Sequence, residues 1–252
     1  MSLEEYLTTL IFSYFLVFAR LGTAMIFMPG FGETQIPVRV RLLFALVACA
    51  ALLPATPVRQ TVPENPLDVT LLLATEATIG LWIGLSARIL LSALQFAGYQ
   101  VGQVSGLANA FGPSFGAFEG ATMVATLLLV SAVALMFVTD THHIILRALL
   151  SSYELFVPGQ PLMLDDLSQQ IVKAAAKSLY IGTAISAPFF VMGVVLNLGM
   201  GLANRMMPQL PVFFVAASLL IAAGLFILAV AVPSVLDFYL LELTDWLTSF
   251  RF

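Results

Sequence analysis

From residue 120 to residue 139 the chain carries no charged side chain. A helix needs about 20 mostly apolar residues to cross the hydrocarbon core of a bilayer, and this stretch supplies them without interruption. Five further stretches have the same character. They run from Tyr6 to Met28 with Arg20 inside, from Leu42 to Leu53 before Pro54, and from Val69 to Tyr99 with Glu76 and Arg88 inside. The last two run from Ile171 to Ala203 and from Val212 to Leu236. The apolar character is continuous rather than strictly alternating, so helices are favoured over barrel strands. Composition points the same way: 60% of the 252 residues are hydrophobic and 10% charged, against about 45–50% and 25% in soluble domains. Too little polar surface would remain to cover a soluble core of that size, so the excess must meet lipid or partner subunits. The expectation is one all-α polytopic membrane unit spanning residues 1–252, with about six hydrophobic helical segments and no soluble domain.

Several function classes fall away. The net charge is −4 and the ten basic residues are scattered, so no patch suits nucleic acid. Cys49 is the single cysteine; it permits neither a disulfide nor a cysteine metal site and reads as an inert buried thiol. Glu4 and Glu5 stand where a cleavable signal would be basic. No GxSxG, HExxH, Walker or dinucleotide-binding pattern is present, so neither an enzyme nor a cofactor is expected. Asp140, His142 and His143 form one polar cluster, but adjacent histidines on a helix project about 100° apart. They read as the polar end of the fourth segment, with no metal site. Charge gives no orientation: Arg39 and Arg41 favour an outside N-terminus and put Arg205 inside, yet Arg59, Arg147, Lys173 and Lys177 then lie outside.

The connections are readable as well. Met28 to Arg41 is a broken segment with Pro29, Gly30, Gly32 and Pro37. Pro54 to Pro66 holds four prolines and reads as an extended loop. Val157 to Leu164 is a turn, after which Asp165 and Asp166 suit a helix start. Met206 to Pro211 joins the last two segments tightly, which predicts an antiparallel C-terminal hairpin with Arg205, Pro208 and Gln209 at its turn.

The most informative stretch is Gly98 to Gly120. Gly98, Gly102 and Gly106 recur every fourth residue, a spacing that makes a flat helix face for close packing. Beyond it, Pro113 and three glycines between 112 and 120 rule out regular helix throughout. Phe111, Phe115 and Phe118 on this glycine-rich tether suit either a movable apolar stopper or a loop anchored at the membrane interface. Arg20, Glu76 and Arg88 sit within apolar segments, where a charge costs at least about 2.5–3.5 kcal/mol. Each therefore faces a partner or water, or snorkels from a tilted helix. Glu76 and Arg88 are twelve residues apart, about 18 Å along a helix, and cannot pair on it; Arg20 is the candidate partner for Glu76. Met192, Met200, Met206 and Met207 gather about the last hairpin and read as adaptable core.

In order along the chain, these residues resemble the FliR family of type III secretion export-gate subunits. The resemblance rests on Phe18-Ala19-Arg20, Pro29 and Ile36-Pro37-Val38-Arg39-Val40-Arg41, on the glycine-rich helix from Gly98 to Gly106, and on the polar break at Asp140–His142. It rests further on Ala187-Pro188 and on Asn204-Arg205-Met206-Met207-Pro208-Gln209-Leu210-Pro211-Val212-Phe213-Phe214. The family usually carries Asn where Leu210 or Pro211 stands here.

The resemblance implies a non-enzymatic subunit of the inner membrane and flagellar basal body. One copy would join about five FliP-type and about four FliQ-type subunits in a helical hetero-oligomer, wrapped by a FlhB-type subunit and passing unfolded flagellar proteins. It further implies a FliP-like part over about 1–165 and a FliQ-like hairpin over about 171–252. The central loop near 106–119 would plug the pore through Phe111, Phe115 and Phe118, and Arg20, Glu76 and Arg88 would be buried at subunit contacts. Two rivals are weighed against it: a secondary transporter relaying charge through Glu76, Arg88 and Asp140, and a membrane enzyme using Asp140, His142 and His143.

Overall fold

A computed structural model describes residues 2–33, 36–107, 119–161, 164–206 and 212–248. The three expected stopper positions, Phe111, Phe115 and Phe118, lie outside the described residues, as do Pro208 and Gln209 of the hairpin turn. Among the described residues there are seven helices and no strand, in agreement with the all-α polytopic expectation.

Helix α1 (Leu3–Phe27) opens on a capping box. The Ser2 amide donates to Glu5 Oε2 at 2.9 Å and the Glu5 amide to Ser2 Oγ at 3.2 Å, satisfying two donors that a helix start leaves free. Its middle, Phe18–Gly22, is a π-helical turn. Helix α2 (Val38–Leu52) follows Pro37 directly, so Val38–Arg41 is helical rather than part of the broken connection read from the sequence. Helix α3 (Pro66–Val104) begins on a proline, whose missing N–H costs nothing there. Helices α4 (Glu119–Val138) and α5 (Thr141–Leu155) meet at a 79° bend. Helix α6 (Leu164–Met206) carries Asp165 and Asp166 in its first turn, as anticipated, and α7 (Val212–Thr248) completes the chain. Five helices are long and apolar enough to cross a membrane, or six if the bent α4–α5 pair counts as one span.

The main departure from the sequence reading is α5. Asp140 takes a left-handed backbone (φ 58°) and ends the preceding helix. Besides marking the end of the fourth segment at Val138, as expected, the polar residues start a new helix at Thr141. It is amphipathic: Thr141, Ile145, Leu149, Ser152 and Tyr153 are buried, a single face at helical spacing.

The chain divides into two compact units. The first comprises 1–90, 136–175 and 243–252. Its core holds Leu16, Leu21 and Met25 of α1, Ile79 and Ile83 of α3, and Ile145 and Leu149 of α5. The indole N–H of Trp82 donates to the Leu167 carbonyl at 2.9 Å. The second unit comprises 91–135 and 176–242. Its core holds Leu94, Ala97 and Val101 of α3, Leu128 and Ala132 of α4, and Ile181, Ile185 and Phe189 of α6. Within it Lys177 pairs with Glu242, and Ser186 donates to Gln100 Oε1 at 2.7 Å.

Candidate functional site

The most heavily bonded side chain described is Arg20, at the centre of the π-helical turn. Such turns insert one residue into a helix and occur often at functional sites. Here the turn accompanies a wholly buried guanidinium. Arg20 Nε donates to Glu76 Oε2 at 2.7 Å and Nη2 to Glu76 Oε1 at 2.9 Å, a two-pronged ion pair. Nη1 donates to the Ser152 carbonyl (3.1 Å) and hydroxyl (3.3 Å), and Nη2 also reaches the Phe156 carbonyl at 2.7 Å. The Tyr153 ring lies under the guanidinium, 4.0 Å from Cζ to centroid, a cation–π contact. Arg20 thus ties α1 to α3 and to the C-terminal end of α5, with its partners supplied by this chain alone. Both charges are already enclosed within the first unit, Arg20 at 0% and Glu76 at 1% exposure. They need no sister subunit to bury them.

Close packing beside the node lets α1 and α3 meet. A Cβ at Gly80 would run into the Arg20 carbonyl oxygen and Thr23 Oγ1, and one at Gly84 would lie 2.5 Å from the Ala24 carbonyl oxygen. Gly80 and Gly84 are four residues apart, the small-residue spacing that allows helices to touch through their backbones. The sequence reading passed over this pair, although its spacing was the same signal read at Gly98. The single hydroxyl proton of Thr23 has the Ala19 carbonyl at 2.6 Å, the Arg20 carbonyl at 3.0 Å and the Ala77 carbonyl at 3.3 Å within reach, a polar group placed at the crossing.

The other charges separate from this node. Arg88 Nη1 donates to Glu33 Oε1 at 3.2 Å, with both side chains partly exposed. Asp140 is exposed, and its carboxylate faces His143 Nδ1 at 3.5 Å. Glu76, Arg88 and Asp140 thus each have a different partner, and the proposed transporter relay through them is corrected: Glu76 is committed to Arg20.

In the second unit, a Cβ at Gly98 would lie 2.6 Å from the Ala125 amide nitrogen, so α3 and α4 pack there backbone to backbone. Gly102 is buried. Gly106 differs: its φ of +72° suits glycine, while among the described residues an added Cβ would meet only Ile221 Cγ1 at an ordinary 3.8 Å. Arg205 stands exposed in the last turn of α6, where a cation suits the negative end of the helix dipole.

Comparison with known proteins adds to this geometry. A model of the family described as bacterial export proteins, family 1, matches residues 11–245. The chain is 34% identical over 225 residues to the flagellar biosynthetic protein FliR of Caulobacter vibrioides, covering 87% of this chain and 88% of that one. It is 27% identical over 224 residues to FliR of Escherichia coli, covering 88% and 83%. The secretion system apparatus protein SsaT of Salmonella typhimurium is 29% identical over 188 residues, covering 71% and 72%.

Proposed function

Because this chain belongs to the family of bacterial export proteins, family 1, that includes FliR, we infer that it serves as a FliR-type subunit of a type III protein export apparatus. The observation that carries the reading is the family match over residues 11–245. We read the system as flagellar, since the relatives named FliR align over a larger share of this chain than SsaT does. The role is structural rather than catalytic, and the site is the bacterial inner membrane at the flagellar basal body.

In this reading the chain joins FliP-type and FliQ-type subunits, about five and about four to one copy, in a helical assembly that a FlhB-type subunit wraps. Residues 1–165 act as the FliP-like part and 171–252 as the FliQ-like hairpin, turning at Arg205, Pro208 and Gln209. Exposed apolar surface supports the need for partners. Only 17% of the most apolar stretch of α7 and 11% of that of α2 is buried within the chain. Residues 106–119 plug the channel through Phe111, Phe115 and Phe118. Gly98 and Gly102 hold the helix before the plug against its neighbours, and the half-exposed Arg88–Glu33 pair is the charge available to a sister subunit. The cargo is unfolded flagellar protein.

Gentle detergent extraction tests the assembly. The tagged chain should bring down FliP-type and FliQ-type subunits in a fixed, unequal ratio. Recovery as a stable lone monomer with transport activity of its own would overturn the reading.

A further inference from the structure

The elbow between α4 and α5 gathers three residues that the export reading does not use. Asp140, His142 and His143 each offer one ligand atom within 4.8 Å of the others. The two imidazole rings lie 4.1 Å apart between centroids, and Phe137 backs His142 at 5.0 Å. Two further observations bear on the cluster. His142 Nδ1 is buried with no hydrogen-bond partner among the described residues, and a polar nitrogen in that state is costly. Asp140 is the one non-glycine residue with positive φ among the described residues, a strained backbone of the kind that accumulates at functional sites.

We propose that this elbow binds a divalent transition metal of the zinc class, through one nitrogen from each of His142 and His143 and one carboxylate oxygen of Asp140. The donor set fits that class: two imidazoles and a carboxylate suit zinc, with the remaining position left to water or another ligand. Magnesium and calcium want oxygen donors throughout, and the cluster has a single carboxylate. Bonds to zinc of about 2.0–2.2 Å need the ligand atoms closer together than 4.8 Å. The exposed side chains of Asp140 and His143 can rotate to supply that closure, while His142 is held against Phe137. The positive end of the α5 dipole opposes a cation, and the Asp140 carboxylate offsets it. Bound metal would tie Asp140, at the break, to the first turn of α5 and so stiffen the 79° elbow.

Zinc titration of the full chain, purified with the subunits it extracts with and carrying no polyhistidine tag, tests the site. The wild type should bind one more Zn2+ per copy of this chain than the His142→Ala/His143→Ala double variant. Each single histidine variant should weaken binding at least tenfold. Asp140→Gly keeps a residue that accepts positive φ but removes the carboxylate, and it should weaken zinc as the histidine changes do. With Cu2+ as probe, the electron paramagnetic resonance spectrum should report two coordinated nitrogens in the wild type and one in His143→Ala. Excess Mg2+ should not compete. Equal zinc uptake by wild type and double variant, or displacement by Mg2+, would overturn the proposal. His143 is exposed, so His143→Ala keeps the test decisive even where a change at His142 disturbs packing.

Discussion

At Arg20 all five N–H donors of a guanidinium are matched by five acceptor contacts. Such a residue is costly to bury and costlier to orphan. Removing one member of a buried pair leaves an unpaired charge, typically about 3–5 kcal/mol. Arg20→Ala, which strands Glu76, should therefore sharply lower the thermal midpoint of the detergent-solubilised chain and its accumulation in membranes. Arg20→Lys should rescue poorly, because an ammonium cannot reproduce the two-pronged fork or the stacking on Tyr153. Replacing both members, as Arg20→Met with Glu76→Met, should harm stability less than Arg20→Ala alone, since no charge is then left unpaired. A double variant as unstable as the single one would show that the node does more than pair charges. The sequence named Arg20 as the partner open to Glu76 by excluding Arg88 on distance. Ser152, Tyr153 and Phe156 were beyond it, since they come from a helix whose placement depends on the bend at Asp140.

Among the elements, the crossing of α1 with α3 is where small residues matter most. Gly80 and Gly84 meet backbone, not flexible side-chain ends, so an added methyl group cannot be accommodated by a rotamer change. Gly80→Ala should cost about 1–3 kcal/mol as overpacking, with the Arg20–Glu76 geometry pushed apart as well. Gly199→Ala and Gly201→Ala make the opposite case. Among the described residues nothing lies within 4 Å of a Cβ at either position, and alanine is the better helix former by about 1 kcal/mol. Both should leave the isolated chain as stable or slightly more so; thermal unfolding of the three variants side by side checks the contrast. The long helices were legible because apolar runs advertise themselves. α5 was not: its 15 residues are too few and too polar to stand out as a span, and its 3.6-residue periodicity is the signal that would have found it. The π-helical turn at Phe18–Gly22 left no mark in the sequence, and it coincides with Arg20, whose partners lie on other segments. The Ser2–Glu5 capping box and the Gly80–Gly84 spacing were written plainly, in patterns of known meaning.

At the scale of the whole molecule, a channel that passes unfolded chains must be wide enough to leak when idle, so something must close it. The residues proposed to do so connect α3 to α4, between Leu107 and Glu119, and carry Phe111, Phe115 and Phe118 among glycines. Apolar rings can exclude water and ions from a constriction, and under the proposed reading the glycines would give the loop the backbone freedom to move aside for cargo. Deleting Phe111 to Phe118 in cells that hold the rest of the apparatus should therefore depolarise the membrane or admit small solutes, read with a potential-sensitive dye. Changing only Phe111, Phe115 and Phe118 to serine, with the loop length kept, should leak in the same direction. The co-extracted ratio of subunits measured alongside separates loss of the plug from loss of the assembly. A gate that still assembles and stays as tight as the wild type with all three rings removed would rule out this loop as the seal.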